Sequence, residues 1–293
     1  MPVSLRSVKQ YFAPDSKEEV LKLLQQYGEG ALIVAGGSFV RGLDARNILS
    51  GIEAMIDLQN LGLKQITAGS AGLSIGAMVT FTELQQREEV KSSAVLGAVR
   101  DALACPPLQI RNVATVGGNI ASACPYFDLP TALMALDTVV QALGPGGSRS
   151  IALQDFSSSL FQSALAEDEF VTGLILPPLP ERSSSAFMKC ESNANDLAIV
   201  NVAVRVTLDA SGHCQQARVV IGGGVAETPV RGLAAEKLLQ GKKLSDELIR
   251  QAGAAVQPDL QPMSDHRASA AYRSVMAKVM TGRALQRAVA RLN

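Results

Sequence analysis

The sequence predicts an α+β fold in which an antiparallel sheet and several helices form the C-terminal part of the chain. Strand and helix patterns are mixed along the 293 residues, without the regular alternation that a doubly wound parallel sheet requires. A Pro- and Ser-rich stretch at residues 177–185 separates two regions of different pattern. After it come three apolar strand patterns in succession, and then helical patterns up to the last residues.

The first sixty residues contain one helix pattern and two strand patterns. Ser16 and Glu19 form a capping-box pattern before "VLKLLQQY", and Gly28 is placed to end that helix. The segment "ALIVAGG" is typical of a short apolar strand, and "IEAMIDLQN" of another. The first glycine motif of the chain is therefore expected to follow directly on a strand.

The middle region begins with a strand pattern, "GLSIGAMVTF", and a helix that Thr80 and Glu83 cap. A helix over "SAVLGAVRDALA" ends at the proline pair 106–107. The second glycine motif, "TVGGN", is also expected to follow a strand. Asp128 is placed to cap the helix "LPTALMAL", and "TVVQAL" with "RSIAL" predicts a hairpin around "GPGGS".

A chain of this length is expected to form more than one core, and the patterns divide it into residues 1–60, 61–180 and 181–293. The first two parts are predicted to form two subdomains of one unit. In the third, "AFMKC", "LAIVNVAVRVTLD" and "CQQARVVIGG" predict an antiparallel meander with a turn at residues 210–212. Helices over "AAEKLLQG", over "SDELIRQAGAAV" and from about residue 267 complete this part.

The composition is that of an ordinary globular protein, with 47% hydrophobic and 18% charged residues. The 27 basic and 27 acidic residues cancel, so no global field would gather nucleic acid or anionic lipid. No signal-peptide pattern opens the sequence, and no apolar run reaches the length of a membrane span. We therefore expect a cytoplasmic protein that binds neither nucleic acid nor a membrane.

Cysteine and histidine are too sparse to predict a metal site or a nucleophilic triad. No two cysteines have the close spacing of a zinc or iron–sulfur site, and buried free thiols are expected. There is no G-x-S-x-G motif, which a serine hydrolase would need near a histidine. The four cysteines of the chain are Cys105, Cys124, Cys190 and Cys214, and its two histidines are His213 and His266.

Two glycine motifs carry the functional signal, "AGGS" at residues 35–38 and "TVGGN" at residues 115–119. A single pair of glycines after a strand most often marks only a turn. Two pairs, each beside the hydroxyl of Ser38 or Thr115, predict free backbone N–H groups suited to the oxygens of a diphosphate. Neither contains the G-x-G-x-x-G of a Rossmann fold. A third run, "VVIGGGVAE", lies among the meander strands and is interpreted as a turn or bulge.

Four motifs, in the order in which they occur, resemble a known family. They are similar to the FAD-binding medium subunit of molybdenum hydroxylases, a family that includes the FAD subunit of xanthine dehydrogenase and the medium chain of carbon monoxide dehydrogenase. The resemblance covers essentially the whole chain and implies a two-subdomain FAD-binding fold of the PCMH or VAO type, followed by a C-terminal flavoprotein domain. The motifs are "LIVAGGSFVRGL", "LSIGAMVTFTEL", "QIRNVATVGGNIASACPYFDLPTALMALD" and "HRASAAYR".

The resemblance implies that the chain binds FAD and transfers electrons. Its expected partners are a small subunit with [2Fe–2S] clusters, which supplies electrons, and a large molybdopterin-binding subunit, which oxidises the substrate. The expected acceptor is NAD⁺, a quinone or oxygen. Such a subunit needs no catalytic acid or base of its own, and none is assigned.

The resemblance also implies which residues bind FAD. The segment from Val34 to Val40 corresponds to a pyrophosphate loop, and residues 115–122 correspond to a second loop for phosphate and ribityl chain. Asp128 matches an aspartate that contacts FAD, a role compatible with capping a helix. Lys189 matches a basic residue near the flavin, and a solvated strand lysine is the alternative. The full set is Val34, Ala35, Gly36, Gly37, Ser38, Phe39, Val40, Thr115, Gly117, Gly118, Asn119, Ser122, Asp128 and Lys189.

Two departures from the family pattern leave alternatives open. Phe39 is bulky for its loop, so it either alters the pyrophosphate fit or packs on the adenosine. Glu191 is acidic, in a segment without arginine, so no acceptor contacts are carried over to it. One rival function is a stand-alone FAD oxidase, for which Cys105 or Cys124 is the candidate for covalent attachment. The other is an assembly subunit without flavin.

Overall fold

The computed structural model describes residues 8–45, 49, 51–194 and 196–292. Helices and strands are mixed along the chain, and the predicted α+β class is confirmed. In this part of the chain the strands form sheets of three, five and four strands and one two-stranded ribbon. None of the described helices is both long and apolar enough to cross a lipid bilayer.

A parallel sheet of three strands forms the N-terminal part. Its strands are β1 (Gln10–Phe12), β2 (Ala31–Val34) and β3 (Ala54–Asp57), with β3 in the centre; helix α1 (Lys17–Tyr27) precedes β2 and helix α2 (Ser38–Ala45) follows it. The Ser16 hydroxyl caps α1 by accepting from the Glu19 N–H, and the helix ends at Gly28 with a φ of 48°. The first glycine motif lies between a strand and a helix, and its predicted strand is confirmed.

An antiparallel sheet of five strands and a set of short helices form the middle part. The strands are β4 (Ile66–Gly69), β5 (Gly72–Gly76), β6 (Val139–Gly144), β7 (Gly147–Ala152) and β10 (Phe170–Leu176), with β8 (Ser157–Ser159) and β9 (Gln162–Ser163) in the separate ribbon. The helices are α3 (Phe81–Gln85), α4 (Glu88–Ser92), α5 (Gly97–Ala104), α6 (Leu108–Val113), α7 (Val116–Ala121) and α8 (Asp128–Met134). The sheet order is β4-β5-β10-β6-β7, which includes the predicted hairpin, and Thr80 with Glu83 caps α3.

The prediction of a strand before the second glycine motif is wrong. Helix α6 precedes the motif, and its two glycines lie inside α7. Thr115 is the N-cap of α7, and its hydroxyl accepts from the Gly118 N–H. The Val116 N–H donates instead to the Val79 carbonyl, at 2.8 Å. Thr115 thus forms only an isolated antiparallel bridge with Thr80, and the chain continues as helix α7 from Val116.

The C-terminal part has the predicted meander and helices. Its sheet runs β11 (Ser183–Cys190), β12 (Val200–Leu208), β13 (Cys214–Gly222) and β14 (Val230–Arg231), and its helices are α9 (Leu233–Leu239), α10 (Asp246–Ala255) and α11 (Ala270–Ala290). The turn between β12 and β13 contains Gly212, with a φ of 82°. One face of the sheet packs on α9, α10 and α11, while Phe187, Ala203 and Val220 on the other face belong to the core of the preceding part.

Asp101 of α5 joins the middle and C-terminal parts. Its carboxylate pairs with Arg291, at 2.7 Å, and with Arg287, at 3.0 Å, both in or just after the last helix. It also accepts from the Phe187 N–H of β11. Ser185 closes the same junction, because its hydroxyl accepts from the Ala98 N–H at 2.8 Å. This junction fixes where β11, and therefore Lys189, lies relative to the middle part.

Arg273 ties α11 to the turn after β13. Its side chain is fully buried, and its guanidinium donates to the carbonyls of Ile199 and Gly223. Asp265 pairs with it at 2.7 Å. Burial by itself raises the pKa of Asp265, but hydrogen bonds from backbone N–H groups and the charge of Arg273 outweigh it and lower the pKa to about 2.

Removing the carboxylate of Asp101 should loosen the C-terminal part. Its side chain is 8% exposed, so Asp101→Ala leaves two arginines at the junction without their shared anion. We expect a loss of about 3 kcal/mol in the free energy of unfolding, measured by urea denaturation. Glu89→Gln removes the exposed pair with Arg87 and is the control, with an expected loss below about 1 kcal/mol. Equal losses in both variants would contradict the assigned role of Asp101.

The contribution of Asp265 to stability should depend on pH. Its folded pKa of about 2 lies below the ordinary value of 3.8, so the stabilisation is present above that ordinary value and is lost as the pH falls through the folded pKa. We expect Asp265→Asn to unfold more easily than the wild type at neutral pH and to approach it as the medium becomes acidic. Urea denaturation at several pH values measures this difference, and a difference that stays constant with pH would contradict it.

Candidate functional site

The first glycine loop, residues 34–40, presents a row of free backbone donors. Strand β2 ends at Val34, Gly37 has a φ of 68°, and α2 begins at Ser38. The Arg41 N–H donates to the Gly37 carbonyl. The five N–H groups before it donate to no acceptor within the described residues; they belong to Gly36, Gly37, Ser38, Phe39 and Val40. A strand end followed by the N terminus of a helix is a general arrangement for binding an anion.

Gly36 is required by a close contact between two backbones. A methyl group built on Gly36 would lie 1.6 Å from the carbonyl oxygen of Val113, at the end of α6. Any side chain would force the two segments apart. A methyl group on Gly37, by contrast, would meet nothing within 4 Å, so the outer side of this loop is open.

The second glycine motif does not supply the free N–H groups that the sequence predicts. The Gly117 N–H donates to the Ala77 carbonyl at 2.9 Å, and the Gly118 N–H donates to the Thr115 hydroxyl at 3.2 Å. The Asn119 N–H donates to the Thr115 carbonyl at 3.0 Å. The prediction is wrong for this motif because the local helix and the neighbouring segment already use these donors.

The small size of its glycines lets the second motif lie close to its neighbours. A methyl group on Gly117 would lie 2.5 Å from the Ala77 side chain. One on Gly118 would lie 2.9 Å from the Thr115 hydroxyl oxygen and 3.7 Å from Ala35 of the first loop. The two glycine motifs therefore lie side by side, although only the first has free donors.

Asn119 adds an unused acceptor to this place. Its side-chain oxygen is buried and has no hydrogen-bond partner within the described residues. A buried acceptor without a donor is costly, and a ligand with hydroxyl or N–H groups can satisfy it. The Ser122 hydroxyl has local partners: it donates to the Asn119 carbonyl at 2.7 Å and accepts from the Cys124 N–H at 3.4 Å.

Phe39 of the first glycine loop belongs to a group of aromatic rings. Phe39 packs edge-on against Phe127, with centroids 5.4 Å apart, and stacks on Phe161 at 6.4 Å. Phe161 lies in the ribbon turn with a φ of 59° and is 49% exposed. Tyr126 lies beside Phe161, and the guanidinium of Arg267 lies 4.1 Å from the centre of the Tyr126 ring. The bulky Phe39 thus packs on protein rings.

A buried ionic cluster lies next to these rings. Asp128 begins α8 directly after Phe127, and its carboxylate lies 3.0 Å from the ammonium of Lys189. Asn201 of β12 donates to the same carboxylate at 3.1 Å and to the Phe127 carbonyl at 3.0 Å. Glu191 lies 2.9 Å from the Lys189 ammonium. The alternative of a solvated strand lysine does not hold, because the Lys189 side chain is 6% exposed.

Asp128 does not cap its helix. Phe127 occupies the N-cap position of α8 and makes no side-chain cap. The carboxylate of Asp128 instead turns inward to Lys189 and Asn201, where it compensates a buried positive charge. The first residues of α8, Asp128 and Leu129, are buried. A buried ammonium without a paired anion would be strongly destabilising, so the carboxylate compensates Lys189 there.

Burial sets the protonation behaviour of this cluster. It raises the pKa of the Asp128 carboxyl, and the charge of Lys189 opposes this effect. Burial by itself lowers the pKa of Lys189, but the attraction of Asp128 and Glu191 outweighs it, and the pKa is raised. Cys105 faces the same group, and burial together with the charge of Asp128 raises the pKa of its thiol to about 12. Lys189 is therefore charged at neutral pH, and Cys105 remains a thiol.

Several residues of this region escape the sequence analysis. Of these residues, only Asn201 could have been found from the sequence, because it is a polar residue in the apolar run "AIVNVAV". Tyr126, Phe161 and Arg267 carry no such signal, because they come together only through the tertiary structure.

The residues present fit a dinucleotide with a diphosphate. The free N–H groups of the first loop suit its oxygens, and the unpartnered oxygen of Asn119 suits a hydroxyl or amide donor. The open side of the loop at Gly37 leaves room for the approach of a ligand.

Comparisons with known families agree with this fit. The family described as "FAD binding domain in molybdopterin dehydrogenase" matches residues 6–179. The family described as "CO dehydrogenase flavoprotein C-terminal domain" matches residues 185–288. Together they span nearly the whole chain.

Whole proteins are similar over the same length. The chain is 34% identical to the 6-hydroxypseudooxynicotine dehydrogenase complex subunit alpha of Paenarthrobacter nicotinovorans, over 96% of this chain and 94% of that protein. It is 31% identical to the carbon monoxide dehydrogenase medium chain of Afipia carboxidovorans, over 96% of each. The solved structure of reconstituted CO dehydrogenase from Oligotropha carboxidovorans matches with a TM-score of 0.90 at 31% identity, over 96% of this chain and 98% of that one. The chain thus belongs to the family of FAD-binding medium subunits of molybdenum hydroxylases, as an oxidoreductase subunit whose cofactor is FAD.

Proposed function

We propose that this chain holds FAD on its first glycine loop and relays electrons within a multi-subunit molybdenum hydroxylase. The observation that carries the proposal is the row of five backbone N–H groups at residues 36–40 that have no acceptor in the described part of the chain. The residues proposed to bind FAD are Val34, Ala35, Gly36, Gly37, Ser38, Phe39, Val40, Thr115, Gly117, Gly118, Asn119, Ser122, Asp128 and Lys189.

The loops have different tasks in this proposal. The first loop binds the pyrophosphate, since neutral N–H groups and the N terminus of α2 stabilise two adjacent negative charges without a lysine. The second motif acts through its shape, because Gly117 and Gly118 let the chain lie close to Ala35. Asn119 offers its free oxygen to a donor of the cofactor. Asp128, which follows Phe127, and its ion-pair partner Lys189 act on the flavin end.

When bound, FAD accepts electrons singly or in pairs and passes them on. We propose that a small subunit with [2Fe–2S] clusters supplies these electrons, and that a large molybdopterin-binding subunit oxidises the substrate. The relatives are described as a medium chain and as a complex subunit, which supports an assembly of this kind. The final acceptor is NAD⁺, a quinone or oxygen. A cytoplasmic location remains part of the proposal.

A stand-alone oxidase with covalently bound flavin is the weaker alternative. Covalent attachment through cysteine needs a thiolate. The thiol of Cys105 has a pKa of about 12, and it is a poor nucleophile at neutral pH. Cys124 is buried. These observations favour FAD held by hydrogen bonds and packing. The free donors of the first loop likewise disfavour an assembly subunit that has lost its flavin.

Deleting one donor of the first loop tests the proposed pyrophosphate site. Ser38 is the first residue of α2, a position that tolerates proline, so Ser38→Pro removes its N–H while the helix can remain. We expect FAD to bind about tenfold more weakly or worse, because a hydrogen bond to a charged group is lost. Titration of the apo chain with FAD, followed by flavin fluorescence, measures the affinity.

Ser38→Ala is the matched control, since it removes the hydroxyl and keeps the N–H. It should bind FAD more tightly than the proline variant, and the melting temperature of both apo variants should stay near that of the wild type. Wild-type affinity in a folded Ser38→Pro chain would contradict the proposal that this loop binds the pyrophosphate.

The relay itself is tested by asking which centre the substrate reduces. Neither histidine of the chain lies in the two glycine motifs, and no constellation for C–H oxidation is assigned to it. We expect the FAD-loaded chain alone to stay oxidised when mixed anaerobically with the substrates of its complex, while dithionite bleaches it. In the whole complex the same substrates should reduce the flavin. Rapid bleaching of the isolated chain by a substrate would support the stand-alone oxidase instead.

A further inference from the structure

The ammonium of Lys189 is surrounded by oxygens of its own chain. Three oxygens of the chain surround it: Asp128 at 3.0 Å, Glu191 at 2.9 Å and the backbone carbonyl of Asp196 at 2.5 Å. Two of these oxygens belong to carboxylates, so the positive charge of Lys189 is compensated within the chain.

The cluster also has more negative than positive charge when its carboxyls are ionised. Asp128 and Glu191 face one Lys189, and Asn201, which donates to Asp128, is neutral. The side chains of Lys189 and Asp128 are 6% and 9% exposed, so water screens their charges little. Glu191 is 30% exposed and is the member of the cluster nearest to solvent.

The cluster adjoins the aromatic group formed by Phe39, Phe127, Phe161 and Tyr126. Asp128 follows Phe127, whose ring contacts Phe39. Asn201 fixes this neighbourhood, because one side-chain nitrogen bonds both the Phe127 carbonyl and the Asp128 carboxylate. A charge in this cluster therefore acts on a cofactor that extends from the first loop past Phe127.

We propose that Glu191 is a positioning residue that holds Lys189 and lowers the reduction potential of the bound flavin. The inference rests on the proposed placement of FAD. Full reduction takes two electrons, and when a single proton accompanies them the pyrimidine side of the ring keeps a negative charge. A free Lys189 would stabilise that charge. By pairing with Lys189 and offsetting its charge, Glu191 withdraws this stabilisation and makes the flavin a stronger electron donor to the acceptor.

Glu191→Gln tests the proposal, because it keeps the size and a hydrogen-bonding oxygen and removes the charge. We expect the midpoint potential of the FAD-loaded chain, measured by anaerobic spectroelectrochemical titration with dithionite at neutral pH, to shift to a more positive value. FAD affinity of the apo chain should stay equal or increase. Glu191→Asp restores the charge and should bring the potential back toward the wild-type value.

Glu181→Gln is the matched control, since Glu181 is an exposed carboxylate outside the cluster. Its potential should equal that of the wild type. An unchanged potential in Glu191→Gln, with FAD bound, would overturn the role of Glu191 and leave the proposed function intact. Loss of FAD from Glu191→Gln alone would overturn it too, because relief of a negative charge does not weaken the binding of an anionic cofactor. A wild-type chain that binds no FAD would refute the proposed function itself.

Discussion

The backbone of Gly36 lies directly against the carbonyl of Val113, and the arrangement of the site depends on this contact. It brings the end of an edge strand, β2, against the end of α6, and the second glycine motif follows α6 immediately. With β2 at the edge of its sheet, the N–H groups beyond it find no strand partner. The contact thus places the two glycine motifs side by side, and the edge position of β2 leaves the first motif with free donors.

The Lys189 cluster depends on how the C-terminal sheet packs against the middle part of the chain. Its strand β11 carries Lys189 and its strand β12 carries Asn201, while Asp128 belongs to the middle part. Asp101 and the arginines at the end of α11 hold these parts in register. The C-terminal sheet is covered on both faces, which explains why β12 is buried along nearly its whole length.

The first glycine loop and the Lys189 cluster differ in their charged and polar groups: the loop presents N–H donors, and the cluster contains carboxylates. The first glycine loop uses neutral N–H groups, whose effect on an anion does not depend on a titrating side chain. The Lys189 cluster places a cation in the interior and then surrounds it with carboxylate and carbonyl oxygens. In the proposed placement of FAD, the first loop favours the phosphates, and the Lys189 cluster limits the negative charge that the reduced flavin can gain. The proposal thus assigns binding and electronic tuning to different parts of the site.

The sequence alone predicts much of this molecule. The α+β class, the helix caps at Ser16 and Thr80, the hairpin of β6 and β7, the C-terminal meander and the strand before the first glycine motif all follow from local patterns. These features depend on residues within a few positions of one another, and local backbone physics decides them.

Only the tertiary structure decided the surroundings of the second glycine motif, of Asp128 and of Glu191. The N–H groups of Gly117 and Gly118 were expected to be free, and acceptors at Ala77 and Thr115 use them. The position of Asp128 in the sequence predicts a helix cap, but its carboxylate pairs with Lys189, sixty-one positions later in the chain. Whether a donor or a charge is available to a ligand depends on every partner within hydrogen-bond reach, and those partners come from distant segments that no local pattern specifies.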